Sequence, residues 1–277
     1  MKVISPGCGA SWQDAGRPGW KRFGVPPGGW MDGVAAREAN RLAGNPENAV
    51  VMELALQGAE FEVLRGGWLA LAGADMGWKP GTARRVEKGE HLRFTAHRHG
   101  VYAYLAAPGG WAAPAYLGSA SVFGAGGLGK ALAAGDIVGC LQDPGHEAWA
   151  GVAARYREAP VYPTEIEVQV WRGSQWGAFS DEARAVFLGT AWSVSARSNR
   201  TGVRLDGPLL DTPEATMLSE PVLPGSVQVT GGGQPVVTLC DGPTVGGYPK
   251  IALLDEEACR RVAQVPPGGT IRWKVEG

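Results

Sequence analysis

Short apolar runs broken by glycine and proline dominate this chain. Ile166, Val168 and Val170 alternate with Glu167 and Gln169, and Ile271, Trp273 and Val275 alternate with Arg272 and Lys274. A period of two sends one set of side chains to a buried face and the other to solvent, so both segments read as strands. Residues 50–56, 60–64, 68–72, 91–96, 101–106, 193–196, 226–229 and 236–239 read the same way, each bounded by turn residues. Helix signals are few. Asp32 precedes a segment, 33–42, that sets Val34, Ala35, Ala39 and Leu42 near one face, with Gly44 just beyond. Ser180 opens a short helix through Leu188 with Gly189 as its stop, and Asp255 opens a third that ends near Val262. Many short strands with few helices predict a mainly β chain of barrel or sandwich type.

The pattern also echoes itself. Lys88-Gly89-Glu90-His91-Leu92-Arg93-Phe94 and Gly268-Gly269-Thr270-Ile271-Arg272-Trp273 are both turns leading into strands. Arg17-Pro18-Gly19 and Arg200-Thr201-Gly202 stand at comparable places in the two halves. Two related β domains, 1–145 and 160–277, would account for this, as would a chance likeness between turn-rich strands; the Ala-, Gly- and Pro-rich stretch 143–163 is the candidate linker.

Composition narrows the chemistry. The 277 residues carry a net charge of −1, so the electrostatic footprint of a nucleic-acid or anionic-membrane binder is missing. No apolar run is long enough to span a bilayer, and Ser5-Pro6-Gly7 breaks the N-terminus too early for a signal peptide, so a cytoplasmic location is expected. Cys8, Cys140, Cys240 and Cys259 form no C-x-x-C pair and read as reduced thiols, and no bound metal is expected. His91, His97, His99 and His146 show no metal-ligand spacing. Gly124-Ala125-Gly126-Gly127-Leu128-Gly129-Lys130 resembles a phosphate loop. However, Ala131 lacks the hydroxyl that would hold Mg²⁺, and Gly135-Asp136 leaves no room for the following helix.

Five polar clusters embedded in turns remain. The first holds Gln13, Asp14 and Arg17; the second runs from Gly24 to Asp32 and on to Asn40, Asn45 and Glu53. The third is Ser198-Asn199-Arg200-Thr201-Gly202-Val203-Arg204; the fourth holds Gln228 and Gln234; the last is Gly246-Gly247-Tyr248-Pro249-Lys250. Hydrogen-bonding side chains beside glycines suit a small-molecule site. The competing structural readings are a turn ion pair between Asp14 and Arg17, and Asn40 or Asn45 closing a helix end. Five such clusters in a chain of low charge favour one shared binding surface.

The order and spacing of these clusters resemble the family that contains the C subunit of 5-oxoprolinase and the Kip-antagonist proteins, also labelled allophanate hydrolase subunit 2. They are similar as well to the carboxyltransferase region of urea carboxylase, a biotin-dependent carboxyltransferase. Tyr104-Leu105, Gly118-Ser119, Ala134-Gly135-Asp136, Ser219-Glu220 and Pro224-Gly225-Ser226-Val227-Gln228 extend the likeness over nearly the whole chain. The resemblance implies a cyclophilin-like, mainly β architecture in two barrel-like halves. It also implies ATP-dependent opening of the 5-oxoproline lactam to glutamate, in a complex with the 5-oxoprolinase A subunit, plus a Kip-inhibitor-like B subunit. The alternatives it carries are biotin-dependent carboxylation of urea or a related amide, and regulation of a kinase inhibitor. Two departures stand out. Gly242-Pro243-Thr244-Val245 replaces a stretch in which relatives commonly carry an arginine, and Trp30 stands where a small residue is usual.

Each implied reaction places negative charge on an amide oxygen, so fixed donors are expected around it. Asp14, Arg200, Arg204 and Lys250 are the catalytic candidates. Gln13, Arg17, Asp32, Asn40, Glu53, Ser198, Asn199, Gln228, Gln234 and Tyr248 are the substrate-binding candidates. ATP with Mg²⁺ is expected in the complex, and biotin only under the carboxylase alternative.

Overall fold

The computed structural model describes residues 1–95, 99–141, 160–213 and 217–275. Two compact units share the chain. Met1–Arg17 and Gly28–Tyr162 form the first; Pro18–Pro27 and Pro163–Gly277 form the second. The excursion of residues 18–27 into the second unit has no counterpart in a simple division at 145 and 160. Lys21 ties it there, its ammonium donating to Val222 O at 2.7 Å. Most of the expected link 143–163, together with His97 and His146, lies outside the described residues.

The first unit runs β1 (Lys2–Pro6), β2 (Ala10–Gln13), α1 (Gly33–Ala43), β3 (Val51–Ala55), β4 (Ala59–Glu62), β5 (Gly67–Asp75), β6 (Thr82–Val86), β7 (His91–Phe94) and β8 (His99–Ala106). Its strands form a five-stranded sheet, β2-β3-β8-β5-β6, and a three-stranded sheet, β1-β4-β7. Inward side chains of both sheets make one core, with Trp12, Met52, Leu54, Leu71 and Leu105 from the first and Val3, Phe61, Leu92 and Phe94 from the second. The alternation of β7 is visible directly: Leu92 and Phe94 are buried, His91 and Arg93 exposed. Helix α1 begins as expected, Asp32 accepting a hydrogen bond from Ala35 N at 3.1 Å, and ends at Gly44 in the left-handed region. Its buried face is Ala35, Ala36, Ala39, Leu42 and Ala43, whereas Val34 is exposed.

The second unit runs β9 (Glu165–Arg172), α2 (Asp181–Gly189), β10 (Trp192–Val194), β11 (Gly202–Asp206), β12 (Glu220–Pro221), β13 (Ser226–Val229), β14 (Pro235–Thr238), β15 (Val245–Gly246), β16 (Lys250–Leu253), α3 (Glu256–Ala263) and β17 (Thr270–Val275). Seven of these strands close into a barrel in the order β10-β11-β14-β13-β16-β9-β17, and β12 pairs with β15 as a separate ribbon. Closure leaves no open edge among those seven strands. The two strands most legible by alternation, β9 and β17, are its parallel neighbours, with Ile166 opposite Ile271 and Val168 opposite Trp273. The internal echo has a conformational basis. Gly89 and Gly268 both hold φ = +83°, the left-handed residue of the turn that precedes a strand.

The protein is therefore mainly β, with three α-helices among the described residues and one closed barrel. No helix among them is long and apolar enough to cross a membrane.

Candidate functional site

In the first unit, the polar clusters converge on the loop 28–32. Four successive backbone N–H groups of that loop are each held by a different part of the unit. Gly29 N donates to Ser121 Oγ (2.7 Å), Trp30 N to Asp14 O (3.1 Å), Met31 N to Glu53 Oε2 (3.0 Å) and Asp32 N to Tyr104 Oη (2.7 Å). Tyr104 Oη in turn donates to Glu53 Oε2 at 2.8 Å, and Tyr162 Oη donates to Asp32 Oδ2 at 2.8 Å. Burial, followed by the nearby Glu53 and Asp32 carboxylates, pushes the Tyr104 phenol well above its usual pKa, so it stays a neutral donor.

The neighbouring candidates support the same loop. Asp14 accepts from Gly16 N (2.8 Å), Ala120 N (2.7 Å) and the Ser119 hydroxyl. Gln13 donates to Ser11 Oγ at 2.9 Å and accepts from the Ser121 hydroxyl. Arg17 is buried, its guanidinium donating to Ser121 O and, at 3.4 Å, to Tyr116 O. These hydrogen bonds run to backbone carbonyls of residues 116 and 121. Gly28 allows this packing, because a Cβ there would lie 2.9 Å from Ser121 Oγ and 3.0 Å from Arg17 Nη1. Asn40 is engaged elsewhere: its amide donates to Ala49 O (2.7 Å) and Glu47 O (3.2 Å), and Asn45 donates to Ala107 O (2.9 Å). Both asparagines fasten the end of α1.

In the second unit the barrel wall carries a second polar group. Lys250 opens β16 and is 5% exposed, yet its ammonium forms an ion pair with the partly exposed Glu220 on β12. Gln175 joins the two, donating to Glu220 Oε1 at 3.1 Å and accepting from Lys250 N at 3.0 Å. The contact with Lys250 is the main reason the Glu220 carboxyl is held below the usual carboxylate range. Gln228 of β13, opposite Lys250 in the ladder, accepts from Thr238 Oγ1 (3.3 Å) and donates to Tyr248 O (3.4 Å). Tyr248 is half exposed. Gly246 lies close enough that a Cβ would come 3.2 Å from Gln228 Nε2.

The remaining candidates separate from Lys250 by role. Arg200 makes a forked pair with Asp241, through Nε to Oδ2 at 2.7 Å and Nη2 to Oδ1 at 3.2 Å. Ser198 Oγ accepts from Arg204 N (3.0 Å) and Asn199 Oδ1 from Thr201 N (2.8 Å), so both shape the turn before β11. Arg204 is exposed on β11. Gln234 closes the hairpin between β13 and β14, its carbonyl accepting from Thr230 N at 3.1 Å.

Comparison with known proteins places the chain. Residues 23–275 match the model of the carboxyltransferase domain, subdomain A and B. The chain belongs to that family. Within it, the chain is 33% identical to the C subunit of Escherichia coli 5-oxoprolinase, over 99% of this chain and 90% of that protein. It is 31% identical to the urea amidolyase of Lachancea kluyveri, again over 99% of this chain but only 17% of that protein. The crystal structure of TTHA0988 superposes with a TM-score of 0.87 at 33% identity, and the chain spans 55% of its length. The Kluyveromyces lactis urea carboxylase superposes with a TM-score of 0.84 at 28% identity over 27% of its chain.

The one phosphate-site hint in the sequence, the run from Gly124 to Lys130, finds no built cradle among the described residues. Among the described residues, no three His, Cys, Asp or Glu side chains stand where they could hold a metal ion. The glycine run makes a short 3₁₀ turn, Gly124–Gly126, after which Leu128 N returns to Phe123 O, and no helix follows it within residues 127–141. These residues do not fit a phosphate cradle.

Several partners escaped the sequence reading. Glu220, Tyr104 and Ser119 stood inside stretches that carried the family resemblance, so a signal for them existed. Gln175, Asp241, Ser121 and Tyr162 had none, because each is defined by a contact between segments 41–130 residues apart.

Proposed function

We propose that this chain serves as the C subunit of a 5-oxoprolinase, helping a cytoplasmic complex open the 5-oxoproline lactam to glutamate at the expense of ATP. The observation that carries the reading is the 33% identity to the C subunit of 5-oxoprolinase across 99% of this chain and 90% of that protein. A shared module embedded in a much larger enzyme, as with urea amidolyase, gives no such match in length. The partners in this reading are the A subunit of that enzyme, plus a Kip-inhibitor-like B subunit.

Lys250 and Gln228 are the side chains we assign to the amide oxygen. A buried ammonium on a rigid strand stabilises developing negative charge more strongly than one in water, because little reorganisation is needed. Glu220 and Gln175 fix Lys250 in place, and the half-exposed Tyr248 lies beside Gln228. The glycine run does not fit ATP and its Mg²⁺, so the phosphorylation step is left to the partners.

Reconstitution tests this. The three subunits together should release phosphate and glutamate from 5-oxoproline and ATP, and omission of this chain should abolish both. Turnover without it would refute the assignment. The superposition on urea carboxylase supports a second reading, carboxyl transfer from biotin to urea or another amide. That reading requires a biotin carrier, and bicarbonate-dependent carboxylation without glutamate release would favour it.

A further inference from the structure

On the first unit, a groove of about 440 Å³ opens between β6 and β7. These consecutive strands are edges of different sheets, the five-stranded and the three-stranded. Trp78, Lys79, Arg84, His91, Arg93 and Phe94 line the groove, with no carboxylate in its wall among the described residues. It shares no residue with the loop 28–32 or with the Lys250 group.

Each guanidinium in this wall has a partner that orients it. The Arg84 guanidinium lies 4.4 Å from the centroid of the Trp78 ring, and Trp78 stacks on buried Phe94 at 6.0 Å and 15°. Arg84 Nη1 also donates to Glu90 Oε1 at 2.7 Å. Across the groove, Glu60 Oε1 accepts from Arg93 Nε at 3.2 Å and lies 2.9 Å from His91 Nδ1. Each guanidinium is thus anchored through one edge by a carboxylate outside the wall. Arg84 Nε and Nη2, and both terminal nitrogens of Arg93, are left without a hydrogen-bond partner among the described residues.

Charged side chains on edge strands discourage pairing with other chains, and that role needs charge alone. It does not need a guanidinium clamped between a ring and a carboxylate. Two guanidinium forks from separate sheets, with an imidazole beside them, offer donors from several directions. A planar carboxylate takes one fork, whereas a tetrahedral phosphate takes several. The volume falls within the range of small-molecule sites. We propose that this groove binds a small phosphate-bearing ligand, with the phosphate seated between Arg84 and Arg93. The proposal does not depend on the 5-oxoprolinase reading.

Isothermal titration of the full chain with inorganic pyrophosphate tests it. One saturable site is expected, weakened by added salt and weakened about tenfold or more in Arg84→Gln and in Arg93→Gln. Arg93 is the safer variant, since its side chain is 68% exposed and touches no ring of the core. Lys250→Met should leave the affinity unchanged, which separates this site from the barrel group. Absence of saturable binding, or an Arg93→Gln isotherm matching the parent, would overturn the proposal. So would glutamate binding at the same residues as tightly as pyrophosphate does.

Discussion

Lys250 and Glu220 are unequal partners, and that inequality sets their substitution behaviour. The ammonium is 7% exposed and the carboxylate 34%. Removing Glu220 strands a buried cation, whereas removing Lys250 leaves a carboxylate that water can reach. Glu220→Gln should therefore lower stability by about 1–2 kcal/mol, read by urea denaturation, and Lys250→Met by less. The pH dependence follows from the same pair. A carboxyl held below its unfolded value contributes stability that is complete above the unfolded pKa of about 4.3 and is lost as pH falls through the folded value. Acidification from pH 5 should accordingly destabilise the parent more than Glu220→Gln. Because Glu220 is partly solvated, this difference should stay within about 1 kcal/mol. A residue of the opposite kind is Gly28. Its φ of +62° and the two polar atoms within 3.0 Å of an added methyl leave alanine no room. Gly28→Ala should cost about 2–4 kcal/mol in the same measurement.

At the scale of elements, the start of α1 shows why parts of the site were readable and others were not. Asp32 as a cap, Gly44 as a stop and the short apolar spacing between them are local, so the helix was legible to within a residue. The alternating strands β9 and β17 were legible for the same reason. Strand β11 was hidden because the exposed Arg204 interrupts its apolar run, and β16 because it opens on a buried charge, Lys250, with only a short apolar run after it. The short β12 and β15, two residues each, carry no periodicity at all. Likewise the clusters around Gln13, Asp14 and Glu53 announced a polar site, but not that the Glu53 carboxylate and the Asp14 backbone carbonyl hold N–H groups of the loop 28–32. Tyr104 supplies the test of that positioning role. Tyr104→Phe removes one hydrogen bond from Asp32 N and one from Glu53, and should cost about 1–3 kcal/mol. Tyr162→Phe, which removes a bond to Asp32 alone, should cost about 1 kcal/mol. Equal losses in the two variants would mean that the Tyr104 hydroxyl does not organise the loop.

For the whole molecule, the proposed chemistry makes a demand that stability data cannot mimic. A donor aimed at a developing oxyanion acts on the transition state, so its loss should appear in kcat and not in folding. In the reconstituted three-subunit enzyme, Lys250→Met should reduce glutamate release about 100-fold or more, as loss of one preorganised donor does elsewhere. The melting temperature should move by only a few degrees and the three chains should still co-elute. Tyr104→Phe should behave differently, losing turnover only in step with its stability. Lys250→Arg discriminates further: if only positive charge matters, it restores activity, and if a compact ammonium on the barrel wall is needed, it does not. The Lys250 ammonium is 7% exposed and already paired with Glu220, so the bulkier guanidinium should fail to recover the parent rate. Turnover within tenfold of the parent in Lys250→Met would remove the oxyanion role from this residue, while omission of the chain would still report on whether the complex requires it.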